Sequence, residues 1–351
     1  TPAGDYEPRA PAWRRYCDLA PGVGRVRETL DPPLTPPYTV IDWDAVRTAY
    51  VGYSSRGGTG VREYALTAFP GTAYYDNNVQ YFGSEGWIDA FAQANIDGVF
   101  EHHPSHDPYG NHETDDLETR AAVFETTVLE QVSTSLIMGL IETAAAGSVA
   151  AWDAAAAVYT GCGEDSGADL EDTLYGQSDA VGLHFGTIQK GDSPGASLTN
   201  TEVMQAFQAG YSPESAAMIS RAVQRTAWQS LLRYAHLIDR HFKYEMDWLE
   251  TQGKGWAAWR VLEAAVARDD PERAAAITAV FAMQEAAPEP LMPNNYCYIL
   301  NVLEEDLGLA NDEAFGVFTD AMSVDCESMA PVIIEFEEDH DHDHDRDRDR
   351  D

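Results

Sequence analysis

Residues 43–52 read WDAVRTAYVG, and residues 152–161 read WDAAAAVYTG. In each stretch the Trp and the Tyr are seven residues apart, and positions i and i+7 of an α-helix lie on the same face. The glycine two residues after each Tyr is a natural helix end, because glycine adopts a left-handed conformation at little cost. The two stretches therefore predict two similar helices, each with an aromatic stripe.

The similarity continues beyond these two helices. An aromatic and polar segment follows each of them, at 74–77 and 174–177, and then a Phe-Gly pair, at 82–83 and 185–186. Similar segments in a fixed order indicate an internal repeat. The predicted helical domain covers residues 39–328, with units at about 39–147 and 148–255 and a remainder at 256–328.

The rest of this domain favours helices over strands, so the predicted fold class is all-α, a helical bundle. An apolar stripe predicts one long helix over 116–147. Ser212-Pro213 is typical of a helix start, and the run to Gln252 predicts one long helix or two adjoining ones, ended by Gly253-Lys254-Gly255. Further helices are predicted at 86–95, 256–268, 271–285, 295–307 and 312–321, and short strands at Tyr38–Ile41 and Val332–Phe336.

Both ends of the chain differ from this domain. Residues 1–38 hold eight prolines, which lack the N–H that helices and ladders require, so they predict an extended Pro-rich arm. Residues 329–351 combine a β-branched run with alternating His-Asp and Arg-Asp pairs. This pattern predicts a strand-like segment followed by an extended acidic tail.

The chain is strongly acidic: 59 acidic residues against 22 basic ones give a net charge of −37 at pH 7. Nucleic-acid binding needs stripes of basic residues that displace counterions from phosphates, and the sequence has none. An anionic membrane surface would repel the chain, and no stretch approaches the ~18 apolar residues of a membrane span. The sequence excludes nucleic acid and membrane insertion, and favours metal cations or copies of the chain itself as partners.

The cysteines indicate an oxidising compartment. An even number of cysteines suits two disulfides, and three pairings remain open among Cys17, Cys162, Cys297 and Cys326. The chain starts Thr1-Pro2-Ala3, which is typical of a mature protein whose signal peptide has been removed. We therefore expect a secreted protein, periplasmic or extracellular.

One short segment has the composition of a metal site. Residues 101–116 read EHHPSHDPYGNHETDD and contain four of the ten histidines. Imidazole together with carboxylate suits iron or zinc better than calcium, which prefers oxygen alone. The candidate ligands are His102, His103, His106, Asp107, His112 and Glu113. The alternative interpretation is a solvated polar loop.

Two further groups are weaker metal candidates. His241 and Glu245 are four residues apart and share a helix face, although ion pairs and a satisfied histidine explain the same pattern. In the tail, His340, His342 and His344 alternate with aspartates, which places the histidines on one side of an extended chain. A solvated polyelectrolyte is the alternative there.

The sequence contains no catalytic constellation. It has no Gly-x-Ser-x-Gly, no phosphate-binding Gly-Lys-Ser/Thr loop and no His-Glu-x-x-His. Asp44 and Asp153 are explained as first-turn charges that oppose the helix dipole. The glutamates of the 116–147 helix lack the Glu-x-x-His partners of a di-iron bundle; they are Glu118, Glu125, Glu130 and Glu142. We predict a non-enzymatic protein with no organic cofactor.

Several phrases in a fixed order resemble the low-iron-inducible, iron-assimilating (also high-CO2-inducible) periplasmic proteins of green algae. They are AWDx5YTG at 151–161, LYGQ at 174–177, FGT at 185–187, LRYAHLID at 232–239, and Trp256–Val266 leading into Asp269-Asp270-Pro271. The resemblance covers roughly residues 40–325. It implies an all-helical, disulfide-permissive extracellular protein linked to iron uptake, with no known catalytic activity, and it carries over no ligand residues.

Two functional hypotheses result. The first is a secreted, non-enzymatic metal-handling protein that binds iron first, with zinc or calcium as alternatives, at acidic and His-rich surface segments. The second is a self-assembling extracellular structural protein, a filament or surface-layer subunit. In that case residues 1–38 or 331–351 make the contacts between subunits, for instance by adding a strand to a neighbour.

Overall fold

The protein folds into α-helices, which confirms the predicted all-α class. The computed structural model describes residues 5–30, 41–52, 59–98, 117–162, 169–189, 195–243, 249–281, 294–306, 313–319, 324 and 326. Within these ranges there is no β-strand, only an isolated bridge between Ile188 and Ser197. The helices are α1 (Leu19–Leu30), α2 (Trp43–Val51), α3 (Val61–Ala65), α4 (Ala73–Phe82), α5 (Trp87–Asp97), α6 (Leu117–Thr126), α7 (Val132–Ala144), α8 (Val149–Thr160), α9 (Leu174–His184), α10 (Leu198–Ala209), α11 (Pro213–Lys243), α12 (Leu249–Trp259), α13 (Glu263–Asp269), α14 (Pro271–Phe281) and α15 (Asn295–Asp306).

Residues 11–30 of the predicted N-terminal arm are mostly helical and not extended, so the prediction is wrong for this part of the arm. Pro11–Tyr16 forms a 3₁₀ turn, and α1 follows it. Four buried apolar residues recur along α1 at spacings of three and four: Leu19, Val23, Val26 and Leu30. Pro21 is tolerated because it lies in the first turn of α1, where a backbone N–H has no partner within the helix.

The two similar stretches form α2 and α8, and each helix ends at a left-handed glycine as expected. In both helices the Trp and Tyr rings contact one phenylalanine of a later helix. The contacts are Trp43 and Tyr50 with Phe124, at centroid distances of 6.4 and 5.4 Å, and Trp152 and Tyr159 with Phe207, at 5.3 and 6.3 Å. The aromatic stripes of α2 and α8 thus pack into the core. The internal repeat itself stays a prediction.

The long helix predicted over 116–147 forms as α6, a π-helical segment Thr127–Gln131, and α7. Every side chain from Thr126 to Ile141 is buried. The run is therefore surrounded by protein on all sides, instead of facing the core along one stripe.

The core consists of two hydrophobic clusters that share α11. The first gathers residues from α1 to α8, α9 and α10, and includes Ile219 and Val223 of α11. The second gathers residues of α12, α14 and α15, and includes Trp228 and Leu231 of α11. Because α11 is 31 residues long, it contributes one end to each cluster and connects them.

α12 continues through the glycines that were predicted to end it. Gly253 and Gly255 both lie inside the helix. A Cβ atom at Gly253 would lie 2.8 Å from Val123 Cγ2 of α6, and one at Gly255 would lie 2.3 Å from Phe281 Cδ1 of α14. The two glycines therefore permit close packing between helices, and the loss of helix propensity is offset by these contacts.

The C-terminal helices follow the prediction only in part. α13, α14 and α15 lie where helices were expected, but a turn at 260–262 divides the helix predicted over 256–268. Residues 313–319, the described part of the helix predicted at 312–321, contain no α-helix. The predicted strands at 38–41 and 332–336 lie outside the described residues, except Ile41, which belongs to no strand.

Two disulfides resolve the pairing that the sequence left open. Cys17 bonds to Cys162 across 145 residues, and Cys297 bonds to Cys326 across 29 residues. The first joins the start of α1 to the end of α8. Among the described helices, none combines the length and the apolar character needed to cross a lipid bilayer.

Candidate functional site

Most of the predicted metal ligands lie outside the described residues. They are His102, His103, His106, Asp107, His112 and Glu113 of the His-rich segment, Glu245, and His340, His342 and His344 of the tail. In the described part of the chain, no three His, Cys, Asp or Glu side chains form a group that could hold a metal ion. Apart from His241, the metal-site prediction therefore concerns residues outside the described part of the chain.

His241 is the predicted ligand that the structure does describe. It is partly buried near the end of α11, and its Nδ1 lies 3.5 Å from the Thr251 hydroxyl oxygen. Nearby Asp239 accepts the backbone N–H groups of Asn295 and Tyr296, at 3.1 and 2.9 Å, at the start of α15. Burial raises the pKa of Asp239 to about 6. Asp239 therefore binds the start of α15 and does not form a metal site together with His241.

The helices on either side of the His-rich segment are joined to each other. α5 ends at Asp97 and α6 begins at Leu117. The Arg120 guanidinium of α6 donates to the carbonyl oxygens of Asn95 and Ile96, at 2.8 and 3.0 Å, at the C-terminal end of α5. A cation is favoured there by the helix dipole. The end of α5 and the start of α6 therefore lie next to each other.

Asp153 and Asp44 occupy the same position of the repeated motif but differ in their surroundings. Asp44 is exposed at the start of α2, as expected for a first-turn charge, whereas Asp153 is not. Asp153 is fully buried, at 0% exposure. Its carboxylate accepts hydrogen bonds from the Tyr6 hydroxyl and from the backbone N–H groups of Arg9 and Ala10, the last two at 2.8 and 2.6 Å. The side chain therefore fastens the N-terminal segment to α8.

A polar cleft of about 360 Å³ lies where α6, α9, α11 and α12 meet. The π-helical segment contributes Glu130, which is only 3% exposed. A π-helical turn inserts one extra residue into a helix, and such turns are frequent at functional sites. The other charged side chains that line the cleft are Arg27, Glu125, Glu171, Arg233 and Lys254.

Glu130 contacts polar side chains from two neighbouring helices. Gln177 of α9 donates from Nε2 to Glu130 Oε1 at 2.9 Å, and the same nitrogen lies 3.3 Å from the Ser230 hydroxyl of α11. Burial raises the pKa of Glu130 to about 8, against the hydrogen bonds from Gln177 and Ser230, which favour the ionised form. The carboxyl is therefore mostly neutral at pH 7 and carries an O–H that can donate.

The basic groups of the cleft differ in their partners. The ion pairs are Arg27 with Glu125 at 2.7 Å, Arg27 with Asp172 at 2.8 Å, and Lys254 with Glu250 at 2.6 Å. Arg233 makes no ion pair with any residue that the structure describes. The cleft is thus lined both by a guanidinium that has no carboxylate partner within that part of the chain and by an acid whose burial favours its neutral form.

The sequence marks Glu130 only as one of several glutamates on the 116–147 helix and does not predict the cleft. A signal was present, because Glu130 is the single ionisable residue between Glu125 and Glu142. A lone acid inside a buried helix needs specific polar partners, since burying an unpaired charge is costly. Gln177 and Arg233 have no comparable signal, because they reach the cleft from other helices through tertiary contacts alone.

Comparisons with protein-family models, with curated proteins and with solved structures found no match to this chain. The resemblance to the iron-assimilating proteins of green algae therefore depends on the sequence phrases alone.

Proposed function

We propose that the protein is a secreted, non-enzymatic protein that binds metal cations, iron first, at acidic and His-rich surface segments. The observation that carries the proposal is the composition of residues 101–116, whose flanking helices are joined through Arg120. A segment whose ends are held together loses less chain entropy when several of its side chains bind one ion. Imidazole and carboxylate groups together suit iron or zinc.

The disulfides support a periplasmic or extracellular location. Disulfides persist in oxidising compartments and are rare in the reducing cytosol. Cys17–Cys162 and Cys297–Cys326 account for all four cysteines of the chain, so none is left as a free thiol. The pairing is therefore that of a structural framework.

The charge supports a cation as the partner. A net charge of −37 creates a negative potential that concentrates cations near the surface and disfavours nucleic acid and anionic membranes. Calcium, which prefers oxygen ligands, is a weaker alternative to iron and zinc at a site that includes imidazole.

The test is metal binding by the full-length chain and three histidine variants. Elemental analysis of the purified protein identifies any ion that it retains, and calorimetry with Fe(III), Fe(II), Zn(II) and Ca(II) gives the affinities. We expect iron to bind with a Kd below about 10 µM and to weaken at least about tenfold when the four segment histidines become alanine. These histidines are His102, His103, His106 and His112.

Two matched controls separate the three candidate sites. A His241→Gln variant and a variant with His340, His342 and His344 all changed to alanine are each expected to bind as the unchanged protein does. Iron binding weaker than about 10 µM in the unchanged protein, or an unaltered affinity in the four-histidine variant, would contradict the proposal.

Self-assembly is the second candidate function, and the described contacts restrict how it can occur. Residues 5–30, most of the predicted arm, pack against their own chain through α1 and the Asp153 hydrogen bonds. The alternative therefore depends mainly on residues 331–351, which lie outside the described residues. Light scattering on the full-length chain and on a chain ending at Ala330 tests it, and a monomer at high concentration in both would contradict it.

A further inference from the structure

The polar cleft beside Glu130 takes no part in the proposed metal binding. Its volume of about 360 Å³ lies within the range of roughly 300–1,000 Å³ typical of small-molecule sites. All the residues that line it are described, and they come from α1, α6, the π-helical segment, α9, α11 and α12, with one from the 3₁₀ turn Leu170–Asp172. Side chains distant in sequence thus converge on one concave surface.

Arg233 supplies the charge that a ligand would meet. Arg233 and Leu237 are four residues apart on one face of α11, and both line the cleft. Arginine is always charged, and its planar fork matches the two oxygens of a carboxylate. Arg27 and Lys254 already hold carboxylates of the protein itself. A ligand with one carboxylate therefore matches the one guanidinium that has no such partner among the described residues.

Glu130 supplies a complementary donor. A carboxyl group that stays neutral at pH 7 does not repel an anion and can donate its O–H to it. The Thr126 and Thr251 side chains also line the cleft and add hydroxyl groups. Two other acids also line the cleft: Glu125 is paired with Arg27 at 2.7 Å, and Glu171 is exposed to solvent, which screens its charge.

We propose that this cleft binds a small organic monocarboxylate, held by the Arg233 guanidinium and by the carboxyl group of Glu130. Gln177, which bonds to Glu130 at 2.9 Å, keeps that carboxyl in position from α9. The ligand class differs from the cations of the proposed metal function, so either idea can fail without the other.

The proposal predicts a defined pH dependence. Carboxylate ligands are ionised above about pH 5, and the pKa of Glu130 is raised to about 8 by burial. Binding is therefore expected to be strongest between these values and to weaken above pH 8, where two negative charges would face each other. The other charged or titratable groups around Glu130 are Arg27 from α1, Glu125 from α6, Glu171 from the 3₁₀ turn, Arg233 and Tyr234 from α11, and Lys254 from α12.

In the experiment, the full-length protein is titrated with acetate, lactate and benzoate at pH 6.5, and binding is measured by calorimetry or by ligand-observed NMR. We expect at least one of them to bind with a Kd below about 10 mM, while the neutral lactamide and the cationic ethanolamine do not bind. Arg233→Gln should weaken binding at least about tenfold, the effect of losing a charge-assisted hydrogen-bond pair. Arg221→Gln, an exposed arginine on the same helix, should leave it unchanged.

A second test uses the Glu130→Gln variant, because the amide N–H of glutamine is a hydrogen-bond donor that does not ionise. The carboxylate affinity of this variant is expected to be the same at pH 6.5 and pH 9. The carboxylate affinity of the unchanged protein should fall at least several-fold between these two pH values. If circular dichroism shows that Arg233→Gln does not fold, Arg233→Lys replaces it, and several-fold weaker binding is expected because the fork is lost. Any one of three results overturns the proposal. They are no binding of any of the carboxylates at about 10 mM, equal carboxylate affinity in Arg233→Gln and the unchanged protein, and a carboxylate affinity of the unchanged protein that does not depend on pH.

Discussion

Asp153, Asp239 and Glu142 each accept backbone N–H groups from a segment other than their own helix. Asp153 holds residues 9 and 10, Asp239 holds the first turn of α15, and Glu142 accepts the N–H groups of Ala73 and Tyr74 at the start of α4. The first N–H groups of a helix lack partners within it, and a carboxylate there also matches the helix dipole. At the residue scale, part of the large acidic content therefore joins elements together.

The first prediction compares the two aspartates of the repeated motif. Asp153→Ala removes the acceptor of three hydrogen bonds and should lower the free energy of unfolding by about 2–4 kcal/mol. Asp44→Ala, at the exposed equivalent position, should lower it by less than about 1 kcal/mol. Urea denaturation measures both values. Equal effects of the two substitutions would show that Asp153 does not anchor the N-terminal segment.

The second prediction concerns the pH dependence that Glu130 confers. Its folded-state pKa is raised to about 8, above the value of an unfolded chain, because the group is buried. Below about pH 4 the group is neutral in both states, and as the pH rises towards 8 only the unfolded state releases its proton. Glu130 therefore makes the protein less stable as the pH rises from about 4 towards 8.

Glu130→Gln should remove this loss. The variant is expected to resemble the unchanged protein at pH 4.5 and to be more stable by a few kcal/mol at pH 8–9, as urea denaturation at each pH can show. Glu250→Gln, at an exposed carboxylate paired with Lys254, is the control and should change the stability by less than about 1 kcal/mol at each pH. A constant difference between pH 4.5 and 9 for Glu130→Gln would contradict a buried neutral acid.

At the element scale, the helices form where local patterns favour them, but their ends depend on neighbours. α1 forms in a Pro-rich part of the sequence, with Pro21 in its first turn, because its apolar residues recur at helical spacing and pack into the core. α12 does not stop at Gly253 and Gly255 because both glycines lie against side chains of α6 and α14. The sequence pattern predicts the existence of a helix better than its boundaries, since a boundary is decided by contacts that lie far away in the chain.

The third prediction tests the close packing at Gly255. Gly255→Ala would bring a methyl group to 2.3 Å from Phe281, and the resulting overpacking should exceed the gain in helix propensity, with a net loss of about 1–3 kcal/mol. Gly86→Ala is the control, because a Cβ there would meet no atom nearer than 3.5 Å, and its effect should stay below about 1 kcal/mol. Thermal and urea denaturation measure both. A stabilised Gly255→Ala variant would mean that propensity, and not packing, dominates at this position.

At the scale of the whole molecule, two core clusters are connected by α11 and reinforced by two disulfides. Cys17–Cys162 closes a much longer loop than Cys297–Cys326, 145 residues against 29. A cross-link restricts the unfolded chain, and this restriction grows with the length of the closed loop. The first disulfide should therefore contribute more to stability than the second.

The fourth prediction measures that difference. In the chain-entropy treatment, the loops of 145 and 29 residues correspond to about 5 and about 3.5 kcal/mol at 25 °C. A variant with Cys17 and Cys162 changed to alanine should thus be less stable than one with Cys297 and Cys326 changed, as urea denaturation would show. The reverse order would mean that local packing at the second disulfide outweighs the entropy of the longer loop.

The candidate sites show where sequence reasoning succeeds and where it stops. Residues 101–116 are recognisable from composition alone, because histidines and acids cluster within one short segment. The cleft at Glu130 is not recognisable in this way, because Gln177, Arg233 and Lys254 come from three other helices. Residues that are scattered in sequence can be joined into a site only by the packing of the helices that carry them.

The sequence by itself determined the all-α class, most of the helices and the acidic character, because helix formation depends on spacings of three and four residues and on the end signals beside them. The tertiary structure decided which cysteines pair, why two identical Trp-Asp motifs hold one buried and one exposed aspartate, and how a buried glutamate comes to lie in a polar cleft. Each of these depends on contacts between residues far apart in the chain, and the free energy of such contacts is not encoded in any local pattern.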